Sequence, residues 1–285
     1  MMFLFFLKLL AKLPLRWLHA LGRFLGVVVY LLPGRYRQRI QKNAAQAGYS
    51  GAGFARRAAA ETGAMIMETP KVWLEPATCL ARCSTQDEHI VAAALAEQRG
   101  ILYLTPHLGC FEITARALIK HGPITVMFRP PRQQFIEPAM QASRNMPGLH
   151  AVPASVRGIR EFLKALRRNE AVGMLPDQVP STGDGIWAPF FGKPAYTMTL
   201  AAKLALQANV PIVLTAGERL PKGQGWRIHY VRLTLPDDPT VENTVYAINE
   251  AMEHLIQRFP SQYLWSYNRY KIPPEAPAIP PSFTS

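Results

Sequence analysis

The first sixty residues contain no acidic side chain; Glu61 is the first carboxylate. Ten basic residues stand in that stretch, so ten of the net thirteen positive charges sit in the first fifth of the chain, leaving 22 basic against 19 acidic groups in the rest. A nucleic-acid-binding surface is disfavoured, because the excess charge is interleaved with Leu and Phe and the body is nearly neutral. Cysteine is scarce as well: Cys79, Cys83 and Cys110 are too few for a disulfide framework, and the C-x3-C pair has no second pair to complete a zinc site. A reducing compartment fits. There is no internal repeat, and nothing in the sequence calls for a metal or a bound cofactor.

Long uncharged hydrophobic runs are missing too. The stretch "MMFLFFLKLLAKLPLRWLHALGRFLGVVVYLLPG" is very apolar, yet its longest uncharged run, Phe24 to Gly34, has 11 residues, short of the 18 or so that a spanning helix needs. Wound at about 100° per residue, it brings Lys8, Lys12, Arg16, His19 and Arg23 into an arc of roughly 80°. Residues 1–34 therefore read as an amphipathic helix kinked at Pro14, lying in a membrane interface and held by anionic headgroups. A single span with snorkelling cations is the alternative. A core helix is disfavoured because it would bury Lys and Arg without partners.

The remaining chain is rich in regular structure. Residues 38–95 have Ala-rich helical spacing. After Gly100, the apolar runs "ILYLT" (101–105), "ITVMF" (124–128), "AVGMLP" (171–176) and "PIVLTAG" (211–217) alternate with helical stretches near 111–120, 136–145, 157–168 and 196–208. That alternation predicts an α/β domain over 35–272 with a mostly parallel central sheet flanked by helices. "GWRIHYVRLTL" (225–235) reads as an edge strand, Val241 to Phe259 as a helix, and the Pro-rich 273–285 as a disordered tail.

Chemistry is expected at the strand ends, where open α/β sheets place ligands. "PHLGCFE" comes after the first strand, so His107 to Cys110 form the turn into a helix, and the loop can fold the Glu112 carboxylate onto one imidazole nitrogen. His107 would then act as general base with Glu112 orienting it. "FRPPRQQ" ends the next strand with Arg129 and Arg132 on a Pro-stiffened loop suited to phosphate or an oxyanion. "LPDQVPSTGDG" ends a third with Asp177. Singly, these have ordinary readings as a loop histidine, a solvated charge and a turn residue. Trp187, Met198 and Leu200, near "FFG", can floor an apolar tunnel or be plain core.

With these blocks in this order, the chain resembles the late acyltransferases of lipid A biosynthesis, lauroyl and myristoyl transferases within the lysophospholipid acyltransferase superfamily. The blocks are "PHLGCFE", "FRPPRQQ", "LPDQVPSTGDGIWAPFFGKPA" and "YLWSYNRYK" behind a basic apolar N-terminus. The resemblance implies an αβα domain on the cytoplasmic face of the bacterial inner membrane. It implies transfer of a fatty acyl chain from acyl carrier protein to a hydroxyl on a phosphorylated lipid A precursor. By position it makes His107 the base, Glu112 its partner, Arg129 a phosphate or transition-state contact and Asp177 a second acid. Glycerolipid acyltransferases of the superfamily carry H-x4-D and an "EGTR"-like block; Glu112 and the lack of that block favour a lipid A acceptor over a lysophospholipid or other glycolipid. Two rival readings stand beside this one. In the first, Cys110 is the nucleophile of a thioesterase with His107 as its base; in the second, the chain is a non-catalytic membrane-binding module.

Overall fold

The computed structural model describes residues 2–128, 137, 140, 143 and 146–283. The apolar start forms α1 (Met2–Lys12) and α2 (Leu15–Leu31), broken at Pro14, whose ring removes a backbone donor. Then come α3 (Arg35–Gln46), α4 (Ala52–Leu74), α5 (Pro76–Leu80), β1 (Cys83–Ser84) and α6 (Glu88–Ala96). The alternating part is β2 (Ile101–Leu104), α7 (Phe111–Leu118), β3 (Ile124–Phe128), β4 (Leu149–Pro153), α8 (Val156–Arg167) and β5 (Ala171–Met174). An antiparallel hairpin, β6 (Gly185–Phe190) and β7 (Lys193–Met198), leads to α9 (Leu200–Ala208), β8 (Ile212–Arg219), β9 (Trp226–Arg232) and α10 (Val241–Arg258).

The main sheet has seven strands in the order β1-β9-β8-β2-β5-β3-β4. From β8 to β4 all neighbours are parallel; β9 runs against β8, and β1 lies parallel to β9. The expected α/β sheet is therefore present. Its four apolar runs became β2, β3, β5 and β8 because strands covered on both faces need apolar side chains on both. Three details differ. The strand at 225–235 is not the edge, since β1 pairs outside it; the stretch 193–198 is strand, with the helix starting at Leu200; and the helix expected near 136–145 lies mostly outside the described residues. The Pro-rich tail, expected to be disordered, is laid against the hairpin. Ala276, Ile279 and Phe283 pack on Val179, Trp187 and Tyr196, and the Trp187 indole N–H donates to the Pro277 carbonyl at 2.8 Å.

The N-terminal helices turn part of the expected basic stripe inward. Helix α2 runs against α4 so closely that a Cβ on Gly63 would stand 2.0 Å from the Gly22 carbonyl oxygen, nearer than any real contact. Across this crossing, Lys12, His19 and Arg23 meet Glu75, Glu68 and Glu61 at 2.6, 2.8 and 2.7 Å. Those three residues of the stripe meet protein carboxylates, although the Lys12 side chain stays 73% exposed, and Lys8 and Arg16 remain exposed. The opposite, apolar side faces outward: Phe5, Phe6, Trp17, Phe24, Leu31 and Leu32 are each more than half exposed. No described helix is long and apolar enough to cross a membrane; the pair α2 and α3 passes by length and composition only when taken together, across a 99° bend.

A buried polar cluster closes this interface onto the sheet. Glu68, fully buried, accepts from Arg219 Nη2 at 2.6 Å and Nε at 3.0 Å, from His19 Nε2 at 2.8 Å and from Trp226 Nε1 at 3.0 Å. Glu61 accepts from Arg219 Nη1 and from Arg23 Nε, each at 2.7 Å. Burial alone would push the Glu68 carboxyl up, but the Arg219 charge and the hydrogen bonds from His19 and Arg219 outweigh it and hold the pKa down at about 2. Arg219 ends β8, so the cluster ties α2 and α4 to the sheet edge that carries the site.

Candidate active site

Parallel pairing builds the site. Leu104 of β2 stands opposite Met174 of β5, and three residues beyond each come His107 and Asp177. The turn after β2 is fixed from three sides. Its Gly109 N–H donates to the Gln262 carbonyl at 3.0 Å, its Cys110 N–H to the Gly217 carbonyl at 2.8 Å, and its His107 carbonyl accepts from the Leu264 N–H at 3.0 Å. Gly109 has φ +61°, and a Cβ there would come within 2.1 Å of the Gly217 oxygen, so this position needs glycine on both counts.

Asp177 grips His107 twice. One carboxylate oxygen accepts from the His107 backbone N–H at 2.9 Å and the other from imidazole Nδ1–H at 2.8 Å. The carboxylate is buried; desolvation would raise its pKa, but the charge and hydrogen bonds of His107, with Arg269 behind, bring it below the ordinary value. Arg269 is buried too, donating to the Tyr196 carbonyl at 2.9 Å and the Thr197 hydroxyl at 2.6 Å. Beside Asp177, burial first and the carboxylate second push the Tyr263 phenol well above its usual range. With Nδ1–H committed to Asp177, Nε2 is the nitrogen that presents a lone pair, and the amide of Gln178 donates to it at 3.1 Å.

The pairing expected of Glu112 is corrected. Glu112 lies in the first turn of α7, and its carboxylate accepts from the Trp73 indole N–H at 2.8 Å and from Arg116 Nη1 at 3.1 Å. The helix carries it one turn toward Arg116, away from the ring, and leaves Asp177 as the acid on Nδ1. Arg129 and Arg132 lie outside the described residues. Beside His107, Phe111 holds its ring 4.8 Å from the imidazole at a tilt of 57° and also lines a mostly apolar cavity of about 130 Å³. Tyr103, Glu112, Ile124, Leu149 and Met174 line it further. Of the two readings of Trp187, Met198 and Leu200, the packing matches plain core: Trp187 packs under the tail, and Met198 and Leu200 rest on the main core.

Sequence reasoning missed Gln178, Trp73, Arg116, Gln262, Tyr263 and Arg269. Two signals could have found some of them: Gln178 is the neighbour of Asp177, and the last three fall in or beside the "YLWSYNRYK" block.

Comparison with known proteins decides the family. The profile described as Bacterial lipid A biosynthesis acyltransferase matches residues 1–272. The chain belongs to this family. Lipid A biosynthesis lauroyltransferase of Escherichia coli (strain K12) is 27% identical over 221 residues, covering 75% of this chain and 70% of its own. The palmitoleoyltransferase of the same organism is 26% identical over 220 residues, covering 74% and 69%. A lipid A biosynthesis acyltransferase of Haemophilus influenzae is 29% identical over 184 residues, covering 62% and 55%. As a member of the bacterial lipid A acyltransferases, the chain is an acyltransferase, and the tail beyond residue 272 lies outside the family match.

Proposed function

We propose that this acyltransferase moves a fatty acyl chain from the thioester of acyl carrier protein to a hydroxyl of a phosphorylated lipid A precursor, with His107 as general base. The bidentate hold of Asp177 on His107 is the observation that carries the reading, because it leaves Nε2 as the proton acceptor. Nε2 takes the acceptor's hydroxyl proton as its oxygen bonds to the thioester carbon; the C–S bond then breaks, and sulfur leaves with the proton from Nε2. Asp177 stabilises the imidazolium in between. Arg129 and Arg132 would meet phosphate or the oxyanion, and the apolar cavity beside Phe111 would take part of the acyl chain. The exposed apolar side of α1 and α2 supports attachment to the cytoplasmic face of the inner membrane.

The test is to incubate purified protein with acyl carrier protein and coenzyme A thioesters of several chain lengths, and with lipid A precursor or lysophospholipid. Acylated lipid A precursor, made faster from the carrier-protein thioester, is the expected product. Acylation of lysophospholipid alone would overturn the acceptor, and no transfer from any donor would overturn the reading.

The Cys110 thioesterase reading meets a physical obstacle. The Cys110 thiol is buried and burial pushes its pKa well above the ordinary value, which leaves almost no thiolate to attack. Cys110→Ala is expected to keep transfer within about threefold of wild type, the residual effect coming from lost packing. Steady-state transfer rates check this, and loss of activity in a folded Cys110→Ala protein would restore the covalent route.

A further inference from the structure

The Gln178 amide stands where the reaction needs an open position. Its Nε2–H donates to imidazole Nε2 at 3.1 Å, the same lone pair that must receive the acceptor's proton. The backbone beyond it is anchored, since the Val179 N–H donates to the Tyr267 hydroxyl at 2.9 Å, so the loop stays while the side chain is able to turn. Among the described residues, His107 is the hydrogen-bond partner of the Gln178 side chain. The imidazole remains 14% exposed, enough for water to reach it.

An acyl thioester beside a solvated base faces a competing reaction. Water gives a proton to Nε2 while its oxygen bonds to the carbonyl carbon; the C–S bond breaks and sulfur leaves with that proton, giving a free fatty acid and a thiol. Accepting the reading of His107 as base, on which this rests, we propose that Gln178 caps Nε2 against water and yields to the acceptor hydroxyl. Water and the lipid hydroxyl both have to displace one amide hydrogen bond. The lipid brings binding contacts from the rest of its structure to offset that loss, and a lone water does not. Gln178 is thus a positioning residue that slows loss of the thioester to water while no acceptor is bound.

The experiment compares wild type, Gln178→Met, Gln178→Asn and His107→Ala, each checked for folding by circular dichroism and thermal melting. Each is given acyl carrier protein thioester with and without lipid A precursor, and free fatty acid and acylated lipid are both quantified. Methionine keeps the bulk without the N–H, and asparagine is too short to reach Nε2. Without acceptor, both variants should raise the rate of free-acid release by about two- to tenfold, the span of one net hydrogen bond. With acceptor present, its KM should fall by a similar factor, because the competing contact is gone, so the ratio of the two products stays near the wild-type value. Unchanged free-acid release without acceptor, or loss of both products in folded variants, overturns the cap. If His107→Ala retains both reactions, the base assignment fails instead, so the two failures are distinguishable.

Discussion

Replacing His107 by alanine is expected to lower the transfer rate by about 10²- to 10⁴-fold, the range a positioned general base supplies, with little change in melting temperature. The ring is held by Asp177, flanked by Phe111 and partly exposed, so its loss removes the proposed proton acceptor without opening the core. Asp177→Asn should fall in the same range, because an amide in place of the carboxylate no longer fixes Nδ1–H or stabilises the imidazolium. Glu112→Gln should cost less than Asp177→Asn, since Glu112 bonds Trp73 and Arg116 and not the imidazole. Transfer rates for the three variants at saturating donor rank them. A greater loss in Glu112→Gln than in Asp177→Asn would return the orienting role to Glu112.

The second large effect is on stability. Arg219→Ala leaves Glu68 and Glu61 facing each other across a buried space with a cation removed, a loss of about 3–5 kcal/mol. For a chain of this size that is a drop of roughly 10 °C in melting temperature. The same cluster makes a pH signature. Glu68 titrates near 2 folded against an ordinary value of 4.5, so its folded pKa is depressed and its contribution is fully present above about 4.5. It is lost as pH falls from there toward about 2. Thermal melts across that window should show wild type losing stability with acid and Glu68→Gln, already destabilised, losing less over the same range. Parallel slopes for the two proteins would remove Glu68 as the source.

Why these residues and not others could be read from the chain alone has a physical answer. Strands β2, β3, β5 and β8 lie inside the sheet with both faces covered, so they stand out as apolar runs. The hairpin β6–β7 escapes a sequence reading because Pro189 and Pro194 face each other in it and its turn is Phe191-Gly192, with φ +46° and +71°, not the usual Asn-Gly. His107 is legible because it ends a strand. Its partner is not, because Asp177 is seventy residues away and becomes a neighbour only through the β2–β5 pairing, after the chain has visited β3 and β4. The carboxylate nearest in sequence is the natural choice and faces elsewhere. For the N-terminus, the spacing of seven between Glu61, Glu68 and Glu75 on or just past α4 is visible, and it matches Arg23, His19 and Lys12 across the crossing. That row of carboxylates is the signal that His19 and Arg23 turn inward.

One proton transfer stands at the centre of the proposed chemistry: His107, held by Asp177, takes the proton of a lipid hydroxyl during acyl transfer. Mass spectrometry of lipid A from cells lacking the gene, complemented with wild type or with His107→Ala at matched protein levels, tests it most directly. Wild type should restore one acyl group, whose mass gives the chain length, and His107→Ala should leave lipid A without it. Restoration of the same acyl group by His107→Ala would contradict the account.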